Sequence, residues 1–310
     1  MTSDRAELAR YRPDLLRHCY RMLGSFADAE DIVQDVLLSA WTSYASYAGD
    51  APISHWLMRI ATNACLNELA RRKRRGLPQL ERDASRDVDR IQTLDATDWL
   101  TPASDSQLFD DPERSLETRE SVALTFLALL QRLPPKQRAA LLLKDVVGWS
   151  ADEIASALEL SLGSVNSALH RARETITAPP QPARHEPSPD TVRDYVRAWE
   201  QHDLDSLVAL LRADVELAMP PHATWFRGAD VVGSFFRSQR FERFWSRGVR
   251  VIPTRANGQL ALAFYLGDAS CFGRHSVQLV DFTDGRVATA IQFVGAHYLS
   301  GFEVPESLPR

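Results

Sequence analysis

The chain has 310 residues, 45% of them hydrophobic, and a formal net charge of −5. A chain of this length exceeds one typical domain, so more than one hydrophobic core is expected. The negative charge excludes a protein that coats nucleic acid through an overall basic surface. Any contact with DNA must therefore come from local basic patches.

The three cysteines, Cys19, Cys65 and Cys271, are widely spaced in the sequence. They form neither a C-x-x-C metal motif nor an even set for disulfides, so neither a metal site nor a cofactor is expected. The charged start lacks the apolar segment of a signal peptide, and no apolar run approaches the roughly 18 residues of a membrane span. These features predict a cytoplasmic protein without a membrane partner.

The first predicted domain, residues 1–76, is helical. Its segment 28–41, DAEDIVQDVLLSAW, has an apolar stripe of Ile32, Val36 and Leu37 beside an acidic face. Acidic residues near a helix N-terminus are commonly a solvated face that the helix dipole favours. The alternative is a docking face for a basic or amphipathic partner helix.

The next predicted helix covers residues 53–75 and ends in five consecutive basic residues, 71–75. At 100° per residue, Trp56, Asn63, Asn67 and Arg74 fall within roughly 40° of one another. A stacking ring, two amides and a cationic cluster are typical of a nucleic-acid surface. Basic residues at a helix C-terminus also complement the dipole, but five exceed that need.

Two linkers are predicted. Ten acidic residues lie between positions 81 and 113, so residues 77–113 are expected to be a flexible anionic linker. Helices resume over residues 114–177. Residues 178–190 then contain five prolines, which predict a second linker.

Residues 133–173 predict a helix-turn-helix. Ser150 and Glu153 have the spacing of a capping box, with Ile154, Ala155 and Leu158 as the apolar stripe of the helix that follows. Ser161 can cap the next helix. The expected buried face of that helix comprises Val165, Leu169, Ala172 and Ile176, and its opposite face Ser164, Ser167 and Arg171. This opposite face can enter a DNA major groove, although paired helices also occur as protein-interaction modules.

The third predicted domain, residues 191–300, is α+β, and residues 301–310 form a tail. A helix over 191–211 precedes strand-like segments at 261–267, 276–282 and 287–295. Asn257-Gly258 and Asp284-Gly285 are hairpin signals. A curved antiparallel sheet wrapped by helices is the expected architecture.

Residues 8–177 resemble extracytoplasmic-function (ECF) sigma factors of the sigma-70 family. The segment DAEDIVQDVLLSAW is similar to the region 2 helix that docks on the β′ clamp helices of RNA polymerase, which implies polymerase contacts at Asp31, Gln34 and Asp35. Residues 54–75 are similar to the helix that melts and reads the −10 element, and loop 43–52 to the one that receives a flipped base. The implied −10 residues are Trp56, Asn63, Asn67, Arg71, Arg72, Arg74 and Arg75.

By the same resemblance the helix-turn-helix is region 4, which reads the −35 element as duplex. The implied contacts are Ser161, Gly163, Ser164, Ser167, Arg171 and Arg173. Asn166 and Ala168 stand where the family commonly has Lys and Arg, so fewer phosphate contacts are expected. The acidic linker would run through polymerase channels. The implied partners are core RNA polymerase, through its β′ clamp helices and β subunit, and promoter DNA.

Residues 190–299 resemble the SnoaL-like family, a cone of curved sheet closed by helices. The candidate pocket residues are Tyr195, Trp199, His222, Trp225, Phe226, Asp281 and His297. The resemblance implies a domain that regulates the two all-α sigma domains in cis, by intramolecular packing or by sensing a small apolar ligand. The alternative is a SnoaL-type cyclase, isomerase or hydrolase, or a ligand sensor, fused to a DNA-binding module. The non-enzymatic sigma factor is the preferred interpretation.

Overall fold

The structure, a computed structural model, describes residues 8–44, 47, 49, 51–72, 74–109, 121–176 and 186–310. The chain divides into two compact units. The first unit combines Met1–Arg75 with Leu108–Pro179, and the second combines Gly76–Gln107 with Pro180–Arg310. The segment between the two predicted sigma regions therefore belongs to the same unit as the C-terminal domain.

The first unit is helical. Its N-terminal half contains α1 (Arg12–Leu23), α2 (Phe26–Ser43) and α3 (Ile53–Arg71). After the short helices α4 (Pro78–Glu81) and α5 (Asp105–Leu108) of the connecting segment, its C-terminal half contains α6 (Leu124–Arg132), α7 (Pro135–Leu141), α8 (Ala151–Leu158) and α9 (Leu162–Ile176). A π-helical turn, Leu142–Val146, extends α7. The start of the predicted helical segment 114–177 lies outside the described residues.

The N-terminal half confirms the predicted helices and corrects their details. The face of α2 that is buried consists of Ala29, Val33, Val36 and Ala40, whereas Ile32 and Leu37 are only partly buried. Helix α3 ends at Arg71 rather than residue 75, because Arg72 has an extended backbone. Cys19 and Cys65, distant in sequence, are both fully buried in this half.

The helix-turn-helix is confirmed in α8 and α9. Ser150 and Glu153 form the predicted capping box at the start of α8. Ser161 accepts a hydrogen bond from the Ser164 N–H at the start of α9. The buried positions of α9 are Val165, Ala168, Leu169 and Ala172, which agrees with the predicted stripe except that Ile176 is partly exposed.

The second unit contains a seven-stranded sheet with helices. Its elements are α10 (Pro189–Glu200), α11 (Leu204–Ala209), β1 (Leu211–Ala218), β2 (Trp225–Arg227), α12 (Ala229–Phe236), α13 (Gln239–Trp245), β3 (Val249–Ala256), β4 (Gln259–Gly267), β5 (Cys271–Thr283), β6 (Arg286–Val294) and β7 (Ser307–Pro309). The strand order is β2-β1-β6-β5-β4-β3, with β7 paired to β5. The α+β class and the predicted strands are confirmed.

Both hairpin signals are confirmed, at the β3–β4 and β5–β6 turns. Asn257, Gly258, Asp284 and Gly285 all have positive φ, as the tight turns between these antiparallel strands require. Three details differ from prediction. The sheet is mixed, because β1 pairs with β6 in parallel. The predicted helix 191–211 is two helices, with Asp203 capping the second, and the predicted tail contributes β7.

Residues 76–107, hereafter the strap, are ordered against the sheet domain instead of forming a flexible linker. Apolar residues anchor the strap: Leu77, Trp99, Leu100 and Ala103 are buried. Its backbone pairs with the domain, for example through Ala223 N–H to Gln92 O at 2.7 Å. The high number of acidic residues in this segment led to the prediction of a flexible linker, and that prediction gave no weight to these widely spaced apolar residues.

Two acidic residues of the strap, Asp87 and Asp95, stabilise its own turns. The Asp87 carboxylate accepts from the N–H groups of Asp89 and Arg90, and Asp95 accepts from that of Thr97. Short acidic side chains favour such local turns.

None of the helices in the described part of the chain combines the length and the apolar character needed to span a bilayer.

Candidate polymerase and promoter interfaces

The acidic face of α2 is exposed. Asp31, Gln34 and Asp35 all lie at the surface. Two large apolar side chains continue this surface toward the helix C-terminus, Leu38 at 55% exposure and Trp41 at 38%. With Arg12 and Glu30, residues of this face line a cleft of about 470 Å³. Leu38 and Trp41 lie outside the predicted apolar stripe of Ile32, Val36 and Leu37, so the sequence pattern assigned them no role.

Asp28 lies apart from this docking candidate. Its carboxylate forms ion pairs with Arg72 and with Arg75, the latter at 2.5 Å. Burial acts to raise the pKa of Asp28, but the hydrogen bond from Arg72 and the charge of Arg75 hold that pKa below its usual value. Asp28 therefore fastens the end of α3 to α2 rather than extending the exposed acidic face.

The described basic residues at the end of α3 and just after it, Arg71, Arg72, Arg74 and Arg75, do not form one cationic cluster. Arg75 is buried and also donates to Leu23 O, and Arg72 is 19% exposed and paired with both Asp28 and Glu68. Arg71 and Arg74 remain exposed, with Arg71 paired to Glu68, and Lys73 lies outside the described residues. Arg72 and Arg75 thus have structural contacts, which leaves Arg71 and Arg74 as the better candidates for phosphate contacts.

The predicted −10 residues Asn63 and Asn67 are exposed one turn apart on α3. Closer to the start of the helix, the Trp56 ring lies 5.2 Å from that of Tyr47. These two rings and Arg59 line part of a cleft of about 470 Å³, to which α8 also contributes. The predicted base-receiving loop, residues 43–52, is described only in part, at 43, 44, 47, 49, 51 and 52.

The two helical halves of the first unit are in direct contact beside this cleft. The His55 ring stacks on that of Trp149 at 4.7 Å, and its Nδ1 lies 3.3 Å from a Glu153 carboxylate oxygen. Deeper in the unit, the buried Arg138 donates to Met22 O, and the Gln131 amide donates to Arg21 O at 3.1 Å. In this arrangement, part of the −10 candidate surface faces α8 and Trp149.

The predicted −35 face lies along the exposed side of α9. Ser161, Gly163, Ser164, Ser167 and Arg171 are all exposed there. Arg173 is also exposed, but it is paired with Asp145 through two hydrogen bonds, at 2.7 and 3.3 Å.

Two further positions of α9 bear on this face. Ala168 is buried, so position 168 lies on the core side of this helix rather than on its reading face. Leu162, at 44% exposure, adds an apolar contact surface that the sequence analysis did not assign.

The aromatic residues of the predicted ligand pocket do not share one environment. Tyr195, Trp199 and Phe226 are buried in the core of the sheet domain. The Trp199 ring contacts those of Trp245 at 4.9 Å and Phe264 at 5.0 Å. Tyr195 and Trp199 therefore pack on one another, with ring centroids 6.2 Å apart, and the Phe226 ring packs on that of Phe235 instead.

Two other predicted pocket residues contact the strap. The Trp225 indole donates to Arg82 O at 2.8 Å, and His222 Nδ1 lies 2.8 Å from the Thr93 hydroxyl. Burial, and secondarily the charge of Arg240, lower the pKa of His222. The other two candidate acid-base groups have local contacts: Asp281 accepts from Gln259, and His297 is exposed against Tyr298.

A chain of hydrogen-bonded polar side chains, which the sequence pattern did not predict, crosses the core of this domain. The Tyr195 hydroxyl donates to Gln278, Gln278 to Gln292, and Gln292 to the Ser276 hydroxyl, which contacts His275 Nδ1 at 2.9 Å. Burial, and then Arg247, lower the pKa of His275 to about 4. Each amide donates to its neighbour, as buried polar groups require.

Comparison with known families assigns all three parts of the chain. Residues 8–75 match the model of sigma-70 region 2, residues 123–176 that of sigma-70 region 4, and residues 192–292 that of the SnoaL-like domain. These matches agree with the resemblances drawn from the helix and strand motifs.

Individual proteins share the whole arrangement. The ECF RNA polymerase sigma factor SigG of Mycobacterium tuberculosis is 38% identical over 307 residues, which cover 96% of this chain and 83% of that protein. The ECF sigma factor SigJ of the same organism is 30% identical over 240 residues, 74% of this chain and 71% of that protein. The crystal structure of SigJ matches with a TM-score of 0.62 at 23% identity, covering 97% of this chain and 99% of that one. The chain belongs to the ECF RNA polymerase sigma factors, with a SnoaL-like domain at its C-terminal end.

Proposed function

We propose that the protein directs core RNA polymerase to specific promoters and starts transcription there. The observation that carries this proposal is the separation of two kinds of exposed surface within the helical unit. One is the acidic and apolar face of α2, and the other is the amide and arginine surface of α3. Separate faces allow one protein to hold an enzyme and a nucleic acid at the same time.

The polymerase contact is proposed for α2. Asp31, Gln34 and Asp35 would meet a basic surface of the β′ clamp helices, with Leu38 and Trp41 supplying the apolar centre of the contact. An interface of this kind combines an aromatic anchor with charged surroundings that steer association.

Promoter reading is proposed for two further surfaces. On α3, Trp56 would stack on an unpaired base, Asn63 and Asn67 would read base edges, and Arg71 and Arg74 would hold phosphates. On α9, Ser161, Gly163, Ser164, Ser167 and Arg171 would contact the −35 duplex. Binding to opened −10 strands offsets the cost of separating them, so recognition and melting are coupled.

Regulation in cis is proposed for the SnoaL-like domain, acting through the strap. The strap joins regions 2 and 4 in sequence and would reach about 100 Å if fully extended. Its buried residues Leu77, Trp99 and Leu100 tie it to the C-terminal domain instead. Release or retention of this connection would thereby set how far regions 2 and 4 can separate on a promoter.

The polymerase assignment is tested by measuring affinity for core enzyme. The double variant Asp31→Asn/Asp35→Asn should bind core enzyme at least about tenfold more weakly, since the loss of even one charge pair at an interface has an effect of this order. Asp152→Asn, at an exposed acid on α8, is the matched control and should bind normally. Equal affinity of both proteins would contradict the assignment to α2.

The −10 assignment is tested by transcription from promoters with substituted −10 bases. Asn63→Ala should lose about 1 to 3 kcal/mol of discrimination at one base position of the −10 element. For comparison, Arg171→Ala, on the proposed −35 surface, should weaken binding to all −35 sequences equally and reduce the salt dependence of that binding. If Asn63→Ala chose promoters as the native protein does, the base-reading role of Asn63 would be wrong.

A further inference from the structure

The segment that forms α13 and the start of β3, residues 237–250, is strongly basic. It contains five arginines and one glutamate, in a chain whose net charge is −5. The DNA contacts proposed for the helical unit use none of these arginines. An acidic protein that binds a polyanion needs local basic patches of this kind.

Three of the arginines lie along one side of α13, hereafter the arginine stripe. Arg240, Arg243 and Arg247 follow one another at spacings of three and four residues, and all three are exposed. The helical turn continues to Arg247, because the N–H of this residue donates to Phe244 O. At 100° per residue the three positions fall within roughly 60° of one another.

The other side of α13 fixes the orientation of the stripe. The Phe241 ring contacts those of Phe235 and Phe236, with ring centroids 4.8 and 5.0 Å apart, and the buried Trp245 stacks on Trp199. These apolar side chains of α13 are thus used inside the domain. The stripe therefore meets its partner through charge rather than through apolar contact.

The charges of Arg240 and Arg243 are not neutralised locally. Within the part of the chain that the structure describes, neither guanidinium forms an ion pair. Glu242, the acid of the same helix, lies 3.7 Å from His202 Nε2 instead. Burial, and then the charge of Arg240, lower the pKa of His222, so this positive charge acts on its surroundings.

Arg247 extends the stripe toward the β4–β5 turn. Its Nε donates to Gly267 O at 3.3 Å, which positions the side chain without neutralising its charge. Asp268 lies near this end of the stripe. Hydrogen bonds from the backbone N–H groups that follow it, and then the charge of Arg247, lower the pKa of Asp268. Because Asp268 offsets part of the Arg247 charge, Arg240 and Arg243 are the principal residues of the stripe.

We propose that the arginine stripe binds the phosphate backbone of duplex DNA, independently of base sequence. The contact rests on the proposed function, which brings the protein to duplex DNA. Guanidinium groups pair with phosphate oxygens, often through two hydrogen bonds. A membrane surface fits less well, because helices that lie on a membrane insert their apolar side chains and those of α13 pack in the domain core.

The salt dependence of binding to a short duplex of random sequence tests this contact, by fluorescence anisotropy with the full-length protein. Arg240→Gln/Arg243→Gln should bind at least about tenfold more weakly, and its slope of log affinity against log salt should become shallower by about two. Arg193→Gln/Arg197→Gln is the matched control and should keep the native slope. It removes the same charge at exposed arginines that each pair with an aspartate three residues earlier. Equal slopes in the two variants would overturn the proposal.

A conservative variant separates a charge contact from a structural role. Arg240→Lys/Arg243→Lys keeps both charges and should retain most of the binding, because lysine also holds phosphate as a point charge. Loss of duplex binding in this variant as well would overturn the contact. Vesicles of anionic phospholipid test the other partner. If Arg240→Gln/Arg243→Gln bound these vesicles more weakly and duplex DNA as the native protein does, the stripe would belong to a membrane surface and the proposal would be wrong.

Run-off transcription with core enzyme separates this contact from the proposed function. Arg240→Gln/Arg243→Gln should use the native start sites at reduced occupancy, because a backbone contact carries no base preference. Native start sites with an unchanged salt slope would overturn the stripe alone. Absence of start-site choice in the native protein, with a slope that still depends on Arg240 and Arg243, would overturn the proposed function alone.

Discussion

At the scale of single residues, buried cations join segments that are distant in sequence. The guanidinium of Arg138 is 2% exposed and donates to the carbonyl oxygens of Met22, Gln131 and Leu133. Arg75 and Asp28 form a comparable connection between α3 and α2. Arginine suits this role because its five donors can satisfy several carbonyl groups at once.

Arg138→Gln should therefore destabilise the helical unit. The shorter side chain leaves buried carbonyl oxygens without donors, which costs roughly 3 kcal/mol in the free energy of unfolding. Urea denaturation followed by circular dichroism measures this loss. Arg132→Gln, at an exposed arginine six residues earlier, is the control. Similar denaturation midpoints for the two variants would contradict the assigned role of Arg138.

The buried His18 should make the stability of the helical unit depend on pH. Burial, and then the charge of Arg21, lower its pKa from 6.5 to about 3. The unfolded chain takes up a proton near pH 6.5 that the folded protein cannot accept. The contribution of His18 to the free energy of unfolding is therefore fully present above about pH 6.5. It falls on acidification toward pH 3, by up to about 1.4 kcal/mol per pH unit.

Hydrogen exchange of α1 at pH 7.5 and at pH 5 measures this effect. His18→Gln should show a smaller difference in opening free energy between the two pH values than the native protein. His275→Gln, in the other unit, is the matched control and should leave the α1 difference unchanged. An identical pH dependence in native protein and His18→Gln would contradict the prediction.

At the scale of elements, the strap differs most from its sequence-based prediction, because it is ordered rather than flexible. Its sequence is acidic and weakly periodic, yet Trp99 is buried and its indole donates to Pro221 O at 3.1 Å. Asn257 adds two hydrogen bonds with Ala103. A few apolar anchors and backbone pairs thus order a segment of otherwise disorder-prone composition.

Trp99→Ala should release much of the strap. Loss of a buried indole costs about 3 to 5 kcal/mol in a core, enough to expose the neighbouring backbone. Limited trypsin digestion should then cut at Arg86 and Arg90 well before the rest of the protein. Arg86→Ala would remove only an exposed ion pair with Asp230, so cleavage at Arg90 should stay slow in that variant. Equal cleavage rates at Arg90 in Trp99→Ala and native protein would contradict the anchoring role.

The helices and hairpins illustrate what the sequence could predict at this scale. The capping box at Ser150, the stripe on α9 and the Asp284-Gly285 turn depend on neighbouring residues, so their local patterns were sufficient. The parallel β1–β6 pair and the attachment of the strap depend on contacts between distant residues. Likewise, no local signal separated Arg72 and Arg75, which pair with Asp28, from the exposed Arg71 and Arg74.

At the scale of the whole molecule, the grouping of chain segments differs from their order in sequence. Regions 2 and 4 belong to one unit, while the strap that connects them belongs to the other. The segment that connects the two sigma regions is therefore held by the SnoaL-like domain, to which no −10 or −35 contact is assigned. This arrangement is the physical basis of the proposed regulation in cis.

A chain truncated after Pro180 should retain the helical unit and lose order in the strap. Leu77, Trp99 and Leu100 would lose the surface that buries them. Hydrogen exchange should become fast across residues 76–107 while α1 to α3 stay protected. Transcription from the cognate promoter should differ from that of the full-length chain. Unaltered exchange and unaltered transcription would together contradict regulation through the strap.

We propose that this chain gives core RNA polymerase its choice of promoter. The most direct measurement is run-off transcription from genomic fragments by core enzyme, with and without the full-length protein or the truncated chain. Discrete transcripts from a limited set of start sites should appear only when the protein is added. A transcript pattern identical to that of core enzyme alone, with both forms of the protein, would show that the protein does not choose promoters.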